Sequence, residues 1–315
     1  MTKPAIIAVG KLHDRVIERL EDHFEMLRPA SLDDVSPNDA SRVEGAAVSG
    51  GFNAAAFQRF PNLKILSSFG VGYDAIDVKT AAEKGVVVTN TPDVLNDEVA
   101  DTAIGLLLNT IRELPRAEAW LRDGHWKPGA SYPLTRFSLK GRHVGLFGLG
   151  RIGEEIAARL EPFKVKISYH TRHRKDGVAY DYYASLKALA EAVDTLIAIV
   201  PKTEQTHKVI NAEILSALGK DGILINVGRG WSVDEDALVA ALGAGQLGAA
   251  GLDVFYNEPE VPQALLSMSN VVLLPHVASA SMPTRRAMAD LVADNLISWF
   301  KNGKAITPVP ETPQR

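Results

Sequence analysis

Gly148-Leu149-Gly150-Arg151-Ile152-Gly153 carries the spacing Gly-x-Gly-x-x-Gly, and its chemistry is that of a phosphate cradle. Gly148 permits a tight turn, Gly150 lets a pyrophosphate approach the backbone, and Gly153 lets a helix lie close to a strand. The run His143–Phe147 before it reads as a buried strand, and Glu154-Glu155-Ile156-Ala157-Ala158-Arg159-Leu160 after it reads as a helix. That helix start, headed by Arg151 and Ile152, offers free N–H groups and a partial positive charge to phosphate oxygens. A glycine turn of purely structural purpose is the plainer alternative, but the strand and the helix that a nucleotide site needs are both present.

The next predicted strand, Val165–Tyr169, ends where an NAD site carries Asp or Glu for the ribose 2′-hydroxyl. Here the chain has His170-Thr171-Arg172-His173-Arg174-Lys175, with no carboxylate before Asp176. Cations beside a hydroxyl suit a 2′-phosphate, which Arg can grip through two parallel hydrogen bonds. The expected cofactor is NADP(H), with NAD(H) bound more weakly. The competing reading is a solvated basic loop.

These residues need a frame. The chain of 315 residues is long enough for two domains, and 46% hydrophobic with 23% charged residues is a globular composition. A net charge of −4 gives no basic footprint for nucleic acid. No apolar run is long enough to span a bilayer, and the N-terminal segment enters a short strand at once, unlike a secretory signal. Cysteine is absent, which removes disulfides, thiolate metal sites and a cysteine nucleophile. The remaining histidines show no metal-ligand spacing. The expectation is a cytoplasmic protein without metal, membrane or nucleic-acid partner.

Short apolar runs separated by helical patterns predict parallel sheets. The first set has four or five strands, with those at 5–9, 46–49, 65–68 and 86–89 legible. A long helical stretch, about 96–123, follows and is interrupted at Pro115. The second set has strands at 143–147, 166–169, 195–200, 223–227, 249–254 and 271–274, the six expected of a complete dinucleotide-binding domain. A last helix near 282–300 precedes a tail with three prolines, which is expected to be loose. The last helix can cross back onto the first set of strands. The ranges are then 1–98 with 286–315 for a discontinuous domain and 99–285 for the nucleotide domain.

Three segments of the second set end in polar residues where parallel sheets bind ligands. They are Ile225-Asn226-Val227-Gly228-Arg229-Gly230, Gly251-Leu252-Asp253-Val254-Phe255-Tyr256-Asn257-Glu258-Pro259 and Leu273-Leu274-Pro275-His276-Val277-Ala278-Ser279. With the glycine motif and Ser68-Phe69-Gly70-Val71-Gly72-Tyr73-Asp74, they resemble the D-isomer-specific 2-hydroxyacid dehydrogenase family over nearly the whole chain, in the same order. The resemblance is greatest to the NADPH-preferring branch of glyoxylate/hydroxypyruvate and hydroxyphenylpyruvate reductases. It implies an α/β fold of two doubly wound parallel-sheet domains, a Rossmann domain inserted into a flavodoxin-like substrate domain, and a homodimer.

The resemblance also implies roles. His276 is the acid/base, and an imidazole suits proton exchange near neutral pH. Glu258 is its carboxylate partner and is expected to raise the imidazole pKa. Arg229 binds the substrate carboxylate and polarises the carbonyl. The backbone of Val71 and Gly72 holds the carboxylate of a small 2-keto acid, as an anion-binding turn can. Val200 and Pro201 flank the adenosine with Thr206 nearby, while Val227 and Asp253 face the nicotinamide. The implied reaction is NADPH-dependent reduction of glyoxylate or hydroxypyruvate. Hydroxyphenylpyruvate reduction and a nucleotide-sensing corepressor or scaffold of the same fold are the alternatives. Trp231 departs from the family pattern, and either crowds the cofactor or faces a neighbouring helix. Phe52, Phe69 and the loop around Tyr132 do not separate a small keto acid from an aromatic one.

Overall fold

Side chains alternate between two faces along each short apolar run, and this alternation builds both sheets. A computed structural model of the chain describes residues 3–314. The first five strands are β1 (Ala5–Val9), β2 (Glu25–Leu27), β3 (Val43–Val48), β4 (Ile65–Ser68) and β5 (Val87–Thr89). They form a parallel sheet of order β2-β1-β3-β4-β5, the order of flavodoxin-like folds. Ile7, Ala46, Val48, Leu66 and Val88 enter the core on one face, while Ile6, Ala47, Ile65 and Val87 enter the core on the other. The long helix Met282–Asn302 covers the second face with Ala289, Val292 and Leu296.

The second sheet contains β6 (His143–Phe147), β7 (Lys166–His170), β8 (Asp181–Tyr182), β9 (Thr195–Ala198), β10 (Ile223–Asn226), β11 (Ala249–Leu252) and β12 (Val271–Leu273). Its order is β12-β11-β10-β9-β6-β7-β8, all parallel. The strand order reverses between β6 and β9, and such a switch point is where doubly wound sheets bind nucleotides. Leu196 and Ala198 enter one core and Ile197 the other; Leu224 and its neighbours Ile223 and Ile225 divide in the same way.

Packing divides the chain into Met1–Leu95 with Ala280–Arg315, and Asn96–Ser279. Both divisions fall just before a helix, Asn96–Arg112 or Met282–Asn302. Residues 96–98 and 280–285 therefore group with those helices and their caps, a few residues from the ranges set by sequence. Helix Asn96–Arg112 ends at Glu113, whose φ of 51° is left-handed, and a second helix, Leu114–Arg122, starts with Pro115 in its first turn.

Two expectations need correction. The second sheet has a seventh strand, β8, whose two residues are too few to show a period. The proline-rich tail is tied down rather than loose. Pro308 pairs antiparallel with Thr89, Val309 N–H donates to Val88 O at 2.8 Å, and Val309 is buried. The anchor is Asn295, fully buried in the last helix, whose Oδ1 accepts from the N–H groups of Ile306 and Thr307 at 2.9 Å each.

Candidate active site

Three loops at the C-terminal ends of β10, β11 and β12 carry the chemically competent side chains of this unit. Arg229 follows β10 between two glycines, and both glycines are dictated by crowding. A Cβ at Gly228 would lie 2.9 Å from the backbone N of Val200, and one at Gly230 would lie 1.9 Å from the carbonyl carbon of Phe255. The loop is thus wedged between its neighbours after β9 and β11. Asn226 fixes it further: its side chain donates to Arg229 O at 3.0 Å and accepts from Gly228 N–H at 3.1 Å. The Arg229 guanidinium donates to Gly228 O at 2.8 Å.

His276 lies in the left-handed region, with φ of 53°, a conformation non-glycine residues rarely adopt and that concentrates at functional sites. Asp253 holds it there. The Asp253 carbonyl accepts the His276 N–H at 2.8 Å. Its carboxylate accepts from Val277 N–H at 2.7 Å and Ala278 N–H at 3.0 Å. Asp253 is fully buried. Burial pushes its carboxyl up, and the two N–H donors pull it only part of the way back. Both Asp253 oxygens thus also anchor the loop that presents His276, a tie that sequence reasoning missed.

The imidazole Nδ1 of His276 is 2.6 Å from Glu258 Oε2, and Glu258 Oε1 accepts from Phe255 N–H at 3.0 Å. Burial pushes the Glu258 carboxyl up, but the His276 ring, the Phe255 N–H and the charge of Arg229 outweigh it and leave it below its ordinary value. An ionised carboxylate only accepts, so Nδ1 carries a proton and donates. Nε2 is then the ring nitrogen left to exchange a proton with a ligand.

The glycine loop fits a dinucleotide. Gly148 has φ of 102°, and a Cβ there would meet Ile199 O at 2.5 Å; one on Gly153 would meet Gly148 O at 2.6 Å. A Cβ on Gly150 would meet nothing within 4 Å, so the backbone faces open space at the helix start, where a pyrophosphate needs room. Arg151 is exposed and Ile152 half-buried at that start. His170 is tied to the sheet: its Nδ1 lies 2.8 Å from Tyr183 O and its ring stacks on Phe147 at 5.8 Å. The Thr171 hydroxyl donates to His173 O at 2.6 Å, while Arg172 and Arg174 are exposed. Val200 and Val227 are buried and Pro201 is exposed. Thr206 donates to Pro201 O at 2.8 Å, closing its own loop.

Trp231 packs against neighbouring loops rather than a helix. Its indole N–H donates to Thr203 O at 2.9 Å. Its ring stacks on His207 at 4.0 Å and on Tyr256 at 5.5 Å, with the Lys202 ammonium 4.5 Å above it. The side chain staples the loop after β9 to the turn that bears Glu258.

Val71 and Gly72 belong to the other unit, in the turn after β4. Asn90 donates to Val71 O at 2.8 Å and Thr91 N–H to Gly70 O at 2.9 Å. The Thr307 hydroxyl donates to Asn90 O at 2.6 Å, and Asn295 Nδ2 donates to Thr307 Oγ1 at 2.9 Å. Sequence reasoning missed this relay. It also missed Lys175, which donates to Leu149 O at 2.7 Å and pairs with Glu154, joining the cation loop to the glycine loop. A basic residue 26 positions from Leu149, beyond a whole helix and strand, carries no periodic signal that could have revealed it.

The model for the D-isomer specific 2-hydroxyacid dehydrogenase NAD binding domain matches residues 104–278. The chain belongs to this family of dehydrogenases. It is 47% identical to a glyoxylate/hydroxypyruvate reductase A of Arabidopsis thaliana, over 92% of this chain and 94% of that one. It is 46% identical to the hydroxyphenylpyruvate reductase of Plectranthus scutellarioides, over 93% and 94%. Among solved structures, the NADPH-dependent glyoxylate/hydroxypyruvate reductase of Sinorhizobium meliloti, in complex with NADP and malonate, is 58% identical with a TM-score of 0.97, covering 100% of this chain and 99% of that one. Among the described residues no helix is long and apolar enough to cross a membrane.

Proposed function

We propose that this dehydrogenase reduces small 2-keto acids, glyoxylate and hydroxypyruvate first, to D-2-hydroxy acids with NADPH. The observation that carries the reading is the His276 ring held by an ionised Glu258 at 2.6 Å, with Arg229 close enough to act on the same carboxylate. When bound, NADPH supplies the hydride to the keto carbon. The backbone around Gly148, Gly150 and Gly153, with Arg151 and Ile152, would hold its pyrophosphate, and Thr171 and Arg172 its 2′-phosphate. Val200, Pro201, Thr206 and Val227 would line the rest of it.

In this reading the N–H groups of Val71 and Gly72 receive the substrate carboxylate. Arg229 grips that group and polarises the carbonyl, because a guanidinium stays charged and presents two parallel donors. His276 donates its Nε2 proton to the carbonyl oxygen as the alcohol forms. Glu258 keeps the ring oriented and stabilises the imidazolium that precedes transfer. Asp253 acts through backbone, as a positioning residue.

NADPH oxidation, followed by its near-ultraviolet absorbance, tests this with glyoxylate, hydroxypyruvate, phenylpyruvate and 4-hydroxyphenylpyruvate, each repeated with NADH. Turnover of the first two, faster with NADPH, is the expected result. Preference for 4-hydroxyphenylpyruvate would transfer the reading to the aromatic branch, to which the 46% identical relative belongs. Tight NADPH binding with no turnover of any keto acid would replace it with a nucleotide-sensing role.

We further propose a homodimer. Leu114, Leu121, Trp126 and Leu134 are 47%, 48%, 71% and 100% exposed, all on the helix Leu114–Arg122 and the loop after it. Apolar side chains gathered on one exposed segment mark an interaction surface. Light scattering on the purified protein, with Trp126→Ser and Leu134→Ser together, checks it: a monomeric double variant is expected from a dimeric parent.

A further inference from the structure

The helix Met282–Asn302 breaks a rule of local electrostatics. Its first turn contains no acid but does contain Arg285, with Arg286 next after it. A helix N-terminus carries partial positive charge, so cations there are disfavoured and anions favoured. Arg286 is exposed and water screens it. Arg285 is half-buried, and a cation withdrawn from water needs an acceptor or a counter-charge.

Arg285 has neither. Burial alone acts on its guanidinium, lowering its pKa, and no carboxylate pulls the other way. Its contact is with the face of Phe69, 5.8 Å from guanidinium carbon to ring centre. Such stacking leaves the in-plane N–H donors free. Each of the other buried or half-buried arginines among the described residues, namely Arg19, Arg59, Arg142, Arg159 and Arg229, donates to a carbonyl or carboxylate. Arg285 alone in that set is desolvated, set at the wrong end of a helix and without an acceptor.

Its neighbour decides what would fill the gap. Phe69 is held by its N–H donating to Val48 O at 2.8 Å, and it runs directly into Gly70-Val71-Gly72, the turn that takes the substrate carboxylate in the reading above. We infer that Arg285 binds a hydrogen-bond-accepting group on carbon 3 of the keto acid, and that 2-keto dicarboxylates such as oxaloacetate are a substrate class of this enzyme. The inference rests on that reading of the Val71–Gly72 turn. Violations of local rules tend to mark functional positions, and a planar fork of donors matches a carboxylate better than it matches a lone hydroxyl.

Glyoxylate separates the two ideas, because it has no carbon 3. The experiment measures kcat and KM of the full-length enzyme and of Arg285→Met, Arg285→Lys and Arg286→Met with glyoxylate, hydroxypyruvate and freshly prepared oxaloacetate. In Arg285→Met, kcat/KM for oxaloacetate is expected to fall about 10- to 100-fold, the loss of a charged hydrogen bond. Hydroxypyruvate is expected to fall less and glyoxylate to stay within about twofold, so that glyoxylate turnover also reports folding. Arg285→Lys keeps the charge without the fork and is expected to lie between, while Arg286→Met matches the parent. Equal losses on all three substrates would make Arg285 a packing residue and overturn the inference. So would unchanged oxaloacetate kinetics, or a parent enzyme that reduces glyoxylate but not oxaloacetate. A parent that reduces none of the three would instead overturn the proposed function, and the inference with it.

Discussion

The loop after β12 and the loop after β7 leave the same parallel sheet at the same end, and they are built on opposite principles. In the first, residues 276–278 give all three N–H groups to Asp253, and the His276 ring is held by Glu258. In the second, His170 and Lys175 are tethered at the two ends, but Arg172 and Arg174 between them are exposed and make no hydrogen bond or ion pair among the described residues. A group that must exchange a proton at one atom has to be fixed before the ligand arrives. A group that only has to meet a phosphate can stay hydrated and collapse onto it. On the proposed function, the difference separates a loop built for chemistry from one built for selection.

The comparison breaks most visibly at His276. His276→Asn is expected to lower kcat about 100- to 10,000-fold, the usual worth of general acid–base catalysis, with NADPH affinity unchanged by fluorescence titration. Retained turnover would remove His276 as the acid and, with it, the reason for so rigid a loop. Asp253→Ala strips the clamp and leaves Val277 and Ala278 N–H groups without their charged acceptor. A stability loss of about 3 kcal/mol is expected in urea unfolding, together with a fall in kcat; a stable, active variant would show that the loop holds its own shape.

Arg172→Ala tests the selective loop. NADPH binding is expected to weaken by about 1–3 kcal/mol, NADH binding to stay the same, and stability to stay the same. Equal losses for both cofactors would contradict a 2′-phosphate role. The smallest effect is that of pH on Glu258. Its carboxyl lies below its ordinary value in the folded protein, so its contribution to stability is complete above the unfolded value and is lost as pH falls through the folded one. The acid limb of kcat in the parent is therefore expected to fall below the range of a free glutamate, and Glu258→Gln to abolish that limb while lowering kcat at neutral pH.

What could be read from the sequence follows from where each interaction is closed. The glycine motif was legible because its requirements are local: a turn at Gly148, open backbone at Gly150 and contact with Gly148 at Gly153. The strands were legible because alternation and short apolar runs are local too. The arrangement of Arg229, Glu258 and His276 came from family resemblance, since nothing local relates residues that far apart. The Asp253 clamp was not legible because a buried carboxylate reads the same in sequence whether or not it holds a loop 24 residues away. The tail was misread because three prolines suggest disorder, while the residue that orders it, Asn295, lies in the preceding helix. Trp231 looked like an intruder until its stack with His207 and Tyr256 was seen.

The wedge around Arg229 bears on how such an enzyme can change. With no room for a side chain on Gly228 or Gly230, almost every codon change at those two positions removes the arginine from service, whatever substrate is under selection. Variation useful to a new activity must accumulate elsewhere, at positions such as Phe69 and Arg285. A combinatorial library that leaves 228–230 untouched and randomises those two would spend its diversity on inheritable differences in appetite rather than on dead clones.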